Sequence, residues 1–198
     1  MWLEAEKFLL KDKNIAPLIK KWGHCTIKKS PRQRYFRDLL EAIVNQQLSG
    51  KAASTIFGRV KDLCKGDISP EIILALSGVQ LRTAGLSFAK IKYIKDLSTR
   101  IMNNELRVMS LGRLSDEEVK KELVAVKGIG TWTADMFLMF SLGRPDIFPV
   151  DDLGVKNGFE KVTGKKFDKI GSAGFALKNW SPYRTVASWY LWRSLENR

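Results

Sequence analysis

Along most of the chain, apolar residues recur at intervals of three and four. That spacing places them on one face of an α-helix. Tyr35, Phe36, Leu39, Leu40, Ile43 and Val44 form one such stripe. Ala53, Ile56, Phe57, Val60 and Leu63 form the next, with Ser49 placed to cap its start. Ser69-Pro70-Glu71 puts proline at a first helical position, where its missing N–H costs nothing. Gly78 and Gly85 punctuate a short helix, and residues 87–102 read as a longer one. Ser115 followed by Glu118 is a capping-box pattern, and it opens a helix that should end near Val126. Residues 131–142 are predicted to be helical, with Gly143-Arg144-Pro145 as the break. Later helices are predicted over roughly 152–161, 167–177 and 183–195, and a first one over the N-terminal MWLEAEKFLLKDK. Period-two strand patterns are scarce. The expectation is an all-α fold of many short helices, compact, with two lobes around a central cleft and no linker.

Composition agrees with a folded chain: 44% of the 198 residues are apolar and 28% charged, enough for a sizeable core. No stretch approaches the ~20 unbroken apolar residues of a membrane span. The N-terminus lacks a signal-peptide pattern, so no membrane association and an intracellular location are expected. Cys25 and Cys64 are too few for a structural zinc site or an iron–sulfur cluster, and His24 is the only histidine. Metal-dependent and histidine-triad chemistry are therefore disfavoured.

Charge adds a partner. The net charge is +13, and residues 1–100 carry nineteen basic side chains against nine acidic. Lys28, Lys29, Arg32, Arg34 and Arg37, then Lys90, Lys92 and Lys95, are spread along predicted helices. A folded basic surface of this kind suits a polyanion. A merely solubilising face is the plainer alternative.

The stretch Leu123-Val-Ala-Val-Lys127-Gly128-Ile129-Gly130-Thr131-Trp132-Thr133-Ala134 sets two glycines around one apolar residue, between two helices. Glycine permits positive φ and a close approach of backbone to ligand. The N–H groups of the turn and of the next helix can then meet a phosphate. With the basic composition, residues 120–140 resemble the helix–hairpin–helix motif, which grips a DNA backbone without reading sequence. Gly128, Gly130, Thr131, Thr133 and Lys127 are the candidate backbone contacts. The resemblance further implies that the carbonyls of Val124, Val126 and Ile129 can hold Na+ or K+. Lys127 and Thr131 stand where prolines are frequent in that motif.

About twenty residues on, Pro149-Val150-Asp151-Asp152 closes a loop before a helix. Aspartate at such a junction is an ordinary N-cap. In this order, however, the blocks resemble the helix–hairpin–helix DNA glycosylase superfamily. Ile43-Val-Asn-Gln46-Gln47-Leu48-Ser49 looks like that family's Gln-Gln-Leu/Ile-Ser block. Leu81-Arg82-x-x-Gly85-Leu86-Ser87-x-x-Lys90-x-x-Tyr93-Ile94-x-Asp96-Leu97 is similar to a signature of the 3-methyladenine DNA glycosylase II branch. The resemblance covers roughly residues 30–195. It implies one domain over 1–198, without the β domain of longer relatives.

The resemblance implies a monofunctional enzyme that flips alkylated purines out of double-stranded DNA and hydrolyses their glycosidic bond. Asp152 matches the catalytic aspartate, leaving Asp151 structural, as a cap. Gln47, then Leu48, matches the wedge that fills the vacated position. Trp132 occupies the place of the lysine with which the endonuclease III branch forms a Schiff base, so no strand cleavage is expected. Trp132, Trp192 and Tyr190 are candidate pocket aromatics, and Trp189 a core residue. A monomer needing no cofactor is expected. The rival reading is a lesion-binding protein of the same fold that does not cut.

Overall fold

Helices α1 (Leu3–Leu9), α2 (Ala16–Trp22), α3 (Tyr35–Asn45), α4 (Gly50–Leu63), α5 (Pro70–Ala75), α6 (Gly78–Thr83), α7 (Phe88–Met102), α8 (Asp116–Val124), α9 (Thr131–Met136), α10 (Leu153–Thr163), α11 (Lys169–Trp180) and α12 (Arg184–Ser194) follow one another along the chain. The computed structural model describes residues 2–196, and no strand occurs among them. None of these helices is long and apolar enough to cross a membrane. Contacts divide the chain into two units, one of Ser30–Phe137 and one formed by the segments up to Lys29 and from Leu138 onward.

In the continuous unit, α3 buries Tyr35, Phe36, Leu39, Leu40, Ile43 and Val44, the stripe read from the sequence. It packs against α4 and α7, and α7 also packs against α5 and α6. The Ser115 capping box forms as expected, with Glu118 returning a bond to the Ser115 N–H at 2.7 Å. Ser49 precedes α4, but its hydroxyl makes no capping bond. Two lysines assigned to the basic surface act as helix C-caps instead. Lys90 Nζ donates to the carbonyls of Val44 and Gln46 at 2.8 and 2.7 Å. Lys95 Nζ donates to those of Leu74 and Leu76 at 2.8 and 2.6 Å. Ammonium groups suit the negative end of a helix, and desolvation pulls both below the ordinary lysine value.

The second unit is organised around α12, which is buried almost all round. It packs against α1, α2, α10 and α11. The approach to α10 is close because of Gly158: a Cβ there would lie 2.4 Å from the Leu191 carbonyl oxygen. Phe148, Phe159, Phe167, Phe175 and Trp180 meet edge to face beside it. Asp146 clamps the start of α12, taking Arg184 Nε at 2.8 Å, Arg184 Nη2 at 3.0 Å and the Ser181 hydroxyl at 2.8 Å. The helix predicted over 131–142 is α at Thr131–Met136 only and passes into a π-helical turn at Phe137–Leu142.

Two carboxylates make the fold acid-sensitive in a defined direction. Partial burial pushes the Asp146 carboxyl up, but its bonds from Arg184 and Ser181 outweigh this and hold it below the ordinary range. Asp96 behaves alike, through the Lys127 N–H and Arg100. A depressed carboxylate stabilises the fold fully above the unfolded-state value, about 3.9 for aspartate. That contribution is lost as the pH falls through the folded-state value. Urea titrations at pH 7, 4 and 3 should show stability falling below about pH 4. Asp146→Asn should flatten that fall, and an equally steep fall in the variant would refute the assignment.

Candidate functional site

The hairpin turn lies in the continuous unit and is built from below. Gly128 has φ +82° and a Cβ would sit 2.2 Å from Tyr93 Cδ2, so both conformation and packing require glycine. Ile129 is buried and plugs the turn into the core. Gly130 has ordinary extended φ, with open space where a Cβ would be, so its glycine leaves room and relieves no strain. The Lys127 N–H donates to Asp96 Oδ2 at 3.0 Å, and Gln46 Nε2 donates to the Gly128 carbonyl at 2.7 Å. Lys120 pairs with the buried Asp135 at 2.7 Å, locking α8 to α9.

The candidate backbone contacts divide accordingly. Lys127, Gly130 and Thr131 are exposed, and Gly128 is half-buried. Thr133 is only 3% exposed, on the α9 face that also buries Ala134 and Asp135, and so does not belong to the accessible rim. The Val126 carbonyl accepts the Ile129 N–H at 3.1 Å. A carbonyl has a second lone pair, and the C-terminal end of α8 concentrates partial negative charge. The Val126 carbonyl therefore keeps acceptor capacity at an end of α8 where positive charge is favoured. Gln47 stands exposed at the corner after α3 with φ +56°, and Leu48 is half-buried beside it.

The acidic doublet lies in the other unit, and its two members do different work. Asp152 is the N-cap of α10: its Oδ1 accepts the Val155 N–H at 2.7 Å. The same oxygen accepts Trp192 Nε1 at 2.7 Å. Asp151, expected as the cap, instead pairs with Lys169 at the start of α11. A cap needs its carboxylate at the residue just before the first helical N–H groups, and only Asp152 has that position. Its Oδ1 is therefore held by a main-chain donor and a side-chain donor.

Two residues that sequence reasoning missed complete this cluster. Phe140 is 38% exposed and stacks on Trp192, with ring centroids 5.9 Å apart and planes at 24°. It sits in the π-turn, where the extra residue shifts the helical register and defeats face counting. Gly154 is the second. A Cβ there would lie 2.7 Å from Trp192 Cδ1 and 3.1 Å from Asp152 Oδ1. Glycine in a helix's first turn was the available signal, since it marks a close approach.

The expected pocket aromatics separate. Trp192 is half-buried beside Asp152, and Trp132 is 40% exposed in α9. Tyr190 is corrected: it is fully buried, its hydroxyl 2.8 Å from the Gly23 carbonyl oxygen and 3.2 Å from Glu6 Oε1. It faces the opposite side of α12 and ties α1 to the core. Trp189 is buried, as expected. No group of three or more His, Cys, Asp or Glu side chains converges as a metal site among the described residues.

Residues 40–180 match the family model for the HhH-GPD superfamily base excision DNA repair protein. DNA-3-methyladenine glycosylase 1 of Schizosaccharomyces pombe is 34% identical over 190 residues, covering 92% of this chain and 82% of the relative. The solved structure of a Bacillus halodurans DNA-3-methyladenine glycosidase is similar at 37% identity and a TM-score of 0.85, over 97% of this chain and 88% of that one. The S. pombe 3-methyladenine DNA glycosylase Mag1, solved in complex with abasic DNA, is similar at 33% identity and a TM-score of 0.83, over 96% of both chains.

Proposed function

This chain belongs to the HhH-GPD superfamily of base excision DNA repair proteins, and we propose that Asp152 is the carboxylate through which it acts. It is an alkylpurine DNA glycosylase: it hydrolyses the bond between a damaged purine and its deoxyribose. The observation that carries the role of Asp152 is the pair of 2.7 Å bonds, from Val155 N–H and Trp192 Nε1, that converge on its Oδ1.

A base inside a duplex is out of reach, so it must first be turned out of the stack. Exposed Gln47 fills the vacated position, with Leu48 beside it. Lys127, Gly130 and Thr131 hold the phosphates. A Na+ or K+ on the carbonyls of Val124, Val126 and Ile129 would add positive charge there.

Alkylation at a ring nitrogen makes the purine cationic, so it departs as a neutral base without prior protonation. Breaking the C1′–N bond leaves positive charge on the sugar. The Asp152 carboxylate stabilises that charge and orients the water whose oxygen bonds to C1′. The water's proton passes to the carboxylate or to solvent. A cationic base is attracted to aromatic faces, which Trp192 and Phe140 supply. Trp132 carries no amine, so the enzyme leaves an abasic site with the strand intact. Searching for single lesions suits a monomer.

The test is incubation with methylated double-stranded DNA, with chromatography of the freed bases. Methylpurines should appear while the strand stays whole until alkali is added. Borohydride should trap no protein–DNA adduct; a trapped adduct would overturn the monofunctional assignment. Binding to abasic DNA without any base release would favour the lesion-binding alternative.

A further inference from the structure

Helix α7 presents Lys90, Tyr93 and Asp96 three residues apart, on one face. Each is engaged with a different part of the DNA-handling apparatus of its own unit. Lys90 Nζ bonds the carbonyls of Val44 and Gln46, immediately before the exposed Gln47. The Tyr93 ring lies against Gly128, at the centre of the hairpin turn. Asp96 holds the Lys127 N–H at 3.0 Å and is braced by Arg100 Nε at 2.9 Å. A fourth contact closes the frame: Gln46 Nε2 bonds the Gly128 carbonyl at 2.7 Å.

The corner after α3 and the hairpin turn are thus mounted on one rigid rod, and also tied directly to each other. A helix rises about 1.5 Å per residue, so positions 90 and 96 are about 9 Å apart and cannot drift independently. Plain packing would need no lysine here. Partly desolvating an ammonium costs free energy, which its two carbonyl bonds offset only while the corner keeps its conformation. That conformation holds Gln47 at φ +56°, a backbone state few side chains adopt unaided.

We propose that α7 sets the spacing between the hairpin's grip on phosphate and the side chain that fills the vacated base position. Lys90, Tyr93, Asp96 and Gln46 are positioning residues that couple the two. The proposal rests on the reading of Gln47 as the wedge. Binding energy gained at the hairpin is delivered to base eversion only if the corner is held in register with it.

The test uses Lys90→Met, Lys90→Arg, Gln46→Leu, Gln47→Ala and the double variant Lys90→Met/Gln47→Ala. Two readouts are taken on DNA carrying 2-aminopurine beside a methylated purine: fluorescence on mixing, which reports unstacking, and single-turnover base release. Affinity for undamaged duplex is measured separately. Lys90→Met and Gln46→Leu should each lower the fluorescence amplitude and slow release by about tenfold or more, as a misplaced group would. Undamaged-duplex affinity should change by less than about twofold, since phosphate contacts set it. Lys90→Arg, which still donates to two carbonyls, should recover most of the loss. In the Gln47→Ala background, Lys90→Met should cost nothing further, because the group it positions is gone.

Additive losses in the double variant would overturn the proposal, as they would mark a general structural role. So would wild-type fluorescence and release in Lys90→Met. Loss of folding in Lys90→Met, seen by thermal melting, shifts the decision to Gln46→Leu, which removes the half-buried bond to the Gly128 carbonyl. If the wild type released no methylated base, the functional reading would fall, and the coupling would still be decided by the fluorescence amplitudes.

Discussion

Asp152→Asn is expected to slow single-turnover release of methylpurines by about 10²–10⁴-fold, the usual contribution of a positioned acid–base group. The substitution is sharp because asparagine can keep the contacts of Asp152 to Val155 and Trp192. Its side-chain oxygen can still accept from Val155 N–H and Trp192 Nε1, now at 2.7 Å. Asparagine is also as good an N-cap as aspartate, so the melting temperature should not move. What is lost is the negative charge that we propose faces the sugar. Affinity for abasic DNA should persist. Release at the wild-type rate would remove Asp152 from the chemistry. Asp152→Ala is less informative, because it also deletes the cap, at about 1 kcal/mol.

Gly154→Ala is expected to separate activity from stability. By helix propensity alone, alanine gains about 0.8–1 kcal/mol over glycine inside a helix. Here the added methyl would lie 2.7 and 2.9 Å from Cδ1 and Nε1 of Trp192 and 3.1 Å from Asp152 Oδ1. The indole cannot swing away freely, being stacked on Phe140. Relieving the overlap presses the indole against Phe140 and stretches its N–H bond to the carboxylate, and a displacement near 1 Å costs about 10²-fold in rate. Single-turnover kinetics with a parallel thermal melt should show a folded protein that releases base about 10²-fold more slowly. Undiminished release would mean that the Trp192–Asp152 bond contributes nothing to catalysis.

How much was legible in the sequence follows from which physical signals were local. The α3 stripe and the Ser115–Glu118 box are patterns within one element, and both appear where they were read. Gly128-Ile129-Gly130 was legible as a turn because a positive φ and a buried plug are local demands. The two glycines nevertheless do different jobs, and only Tyr93 reveals why the first is obligatory. Tyr190 was misplaced because α12 is buried nearly all round, so its apolar periodicity carries no information about which face meets the site. Lys90 and Lys95 were read as surface charge because a count of basic residues cannot tell a solvated ammonium from one bonded to helix-end carbonyls. The doublet at 151–152 was legible as a pair. Its division of labour needed Lys169, eighteen residues away, to claim Asp151.

The arrangement of the two units bears on the order in which the molecule can be made. Ser30–Phe137 is one uninterrupted stretch, whereas the unit holding Asp152 joins the segment up to Lys29 with that from Leu138 onward. During translation the first helices emerge early and must then wait, with apolar side chains such as Leu9 and Ile15 unsatisfied, until α10–α12 leave the ribosome. Closing so long a loop is entropically costly and slow. The nascent chain therefore carries the whole of the hairpin-bearing unit before Asp152 has been added. Chaperone demand should concentrate on α1 and α2, which are made ahead of α3–α9 and buried after them.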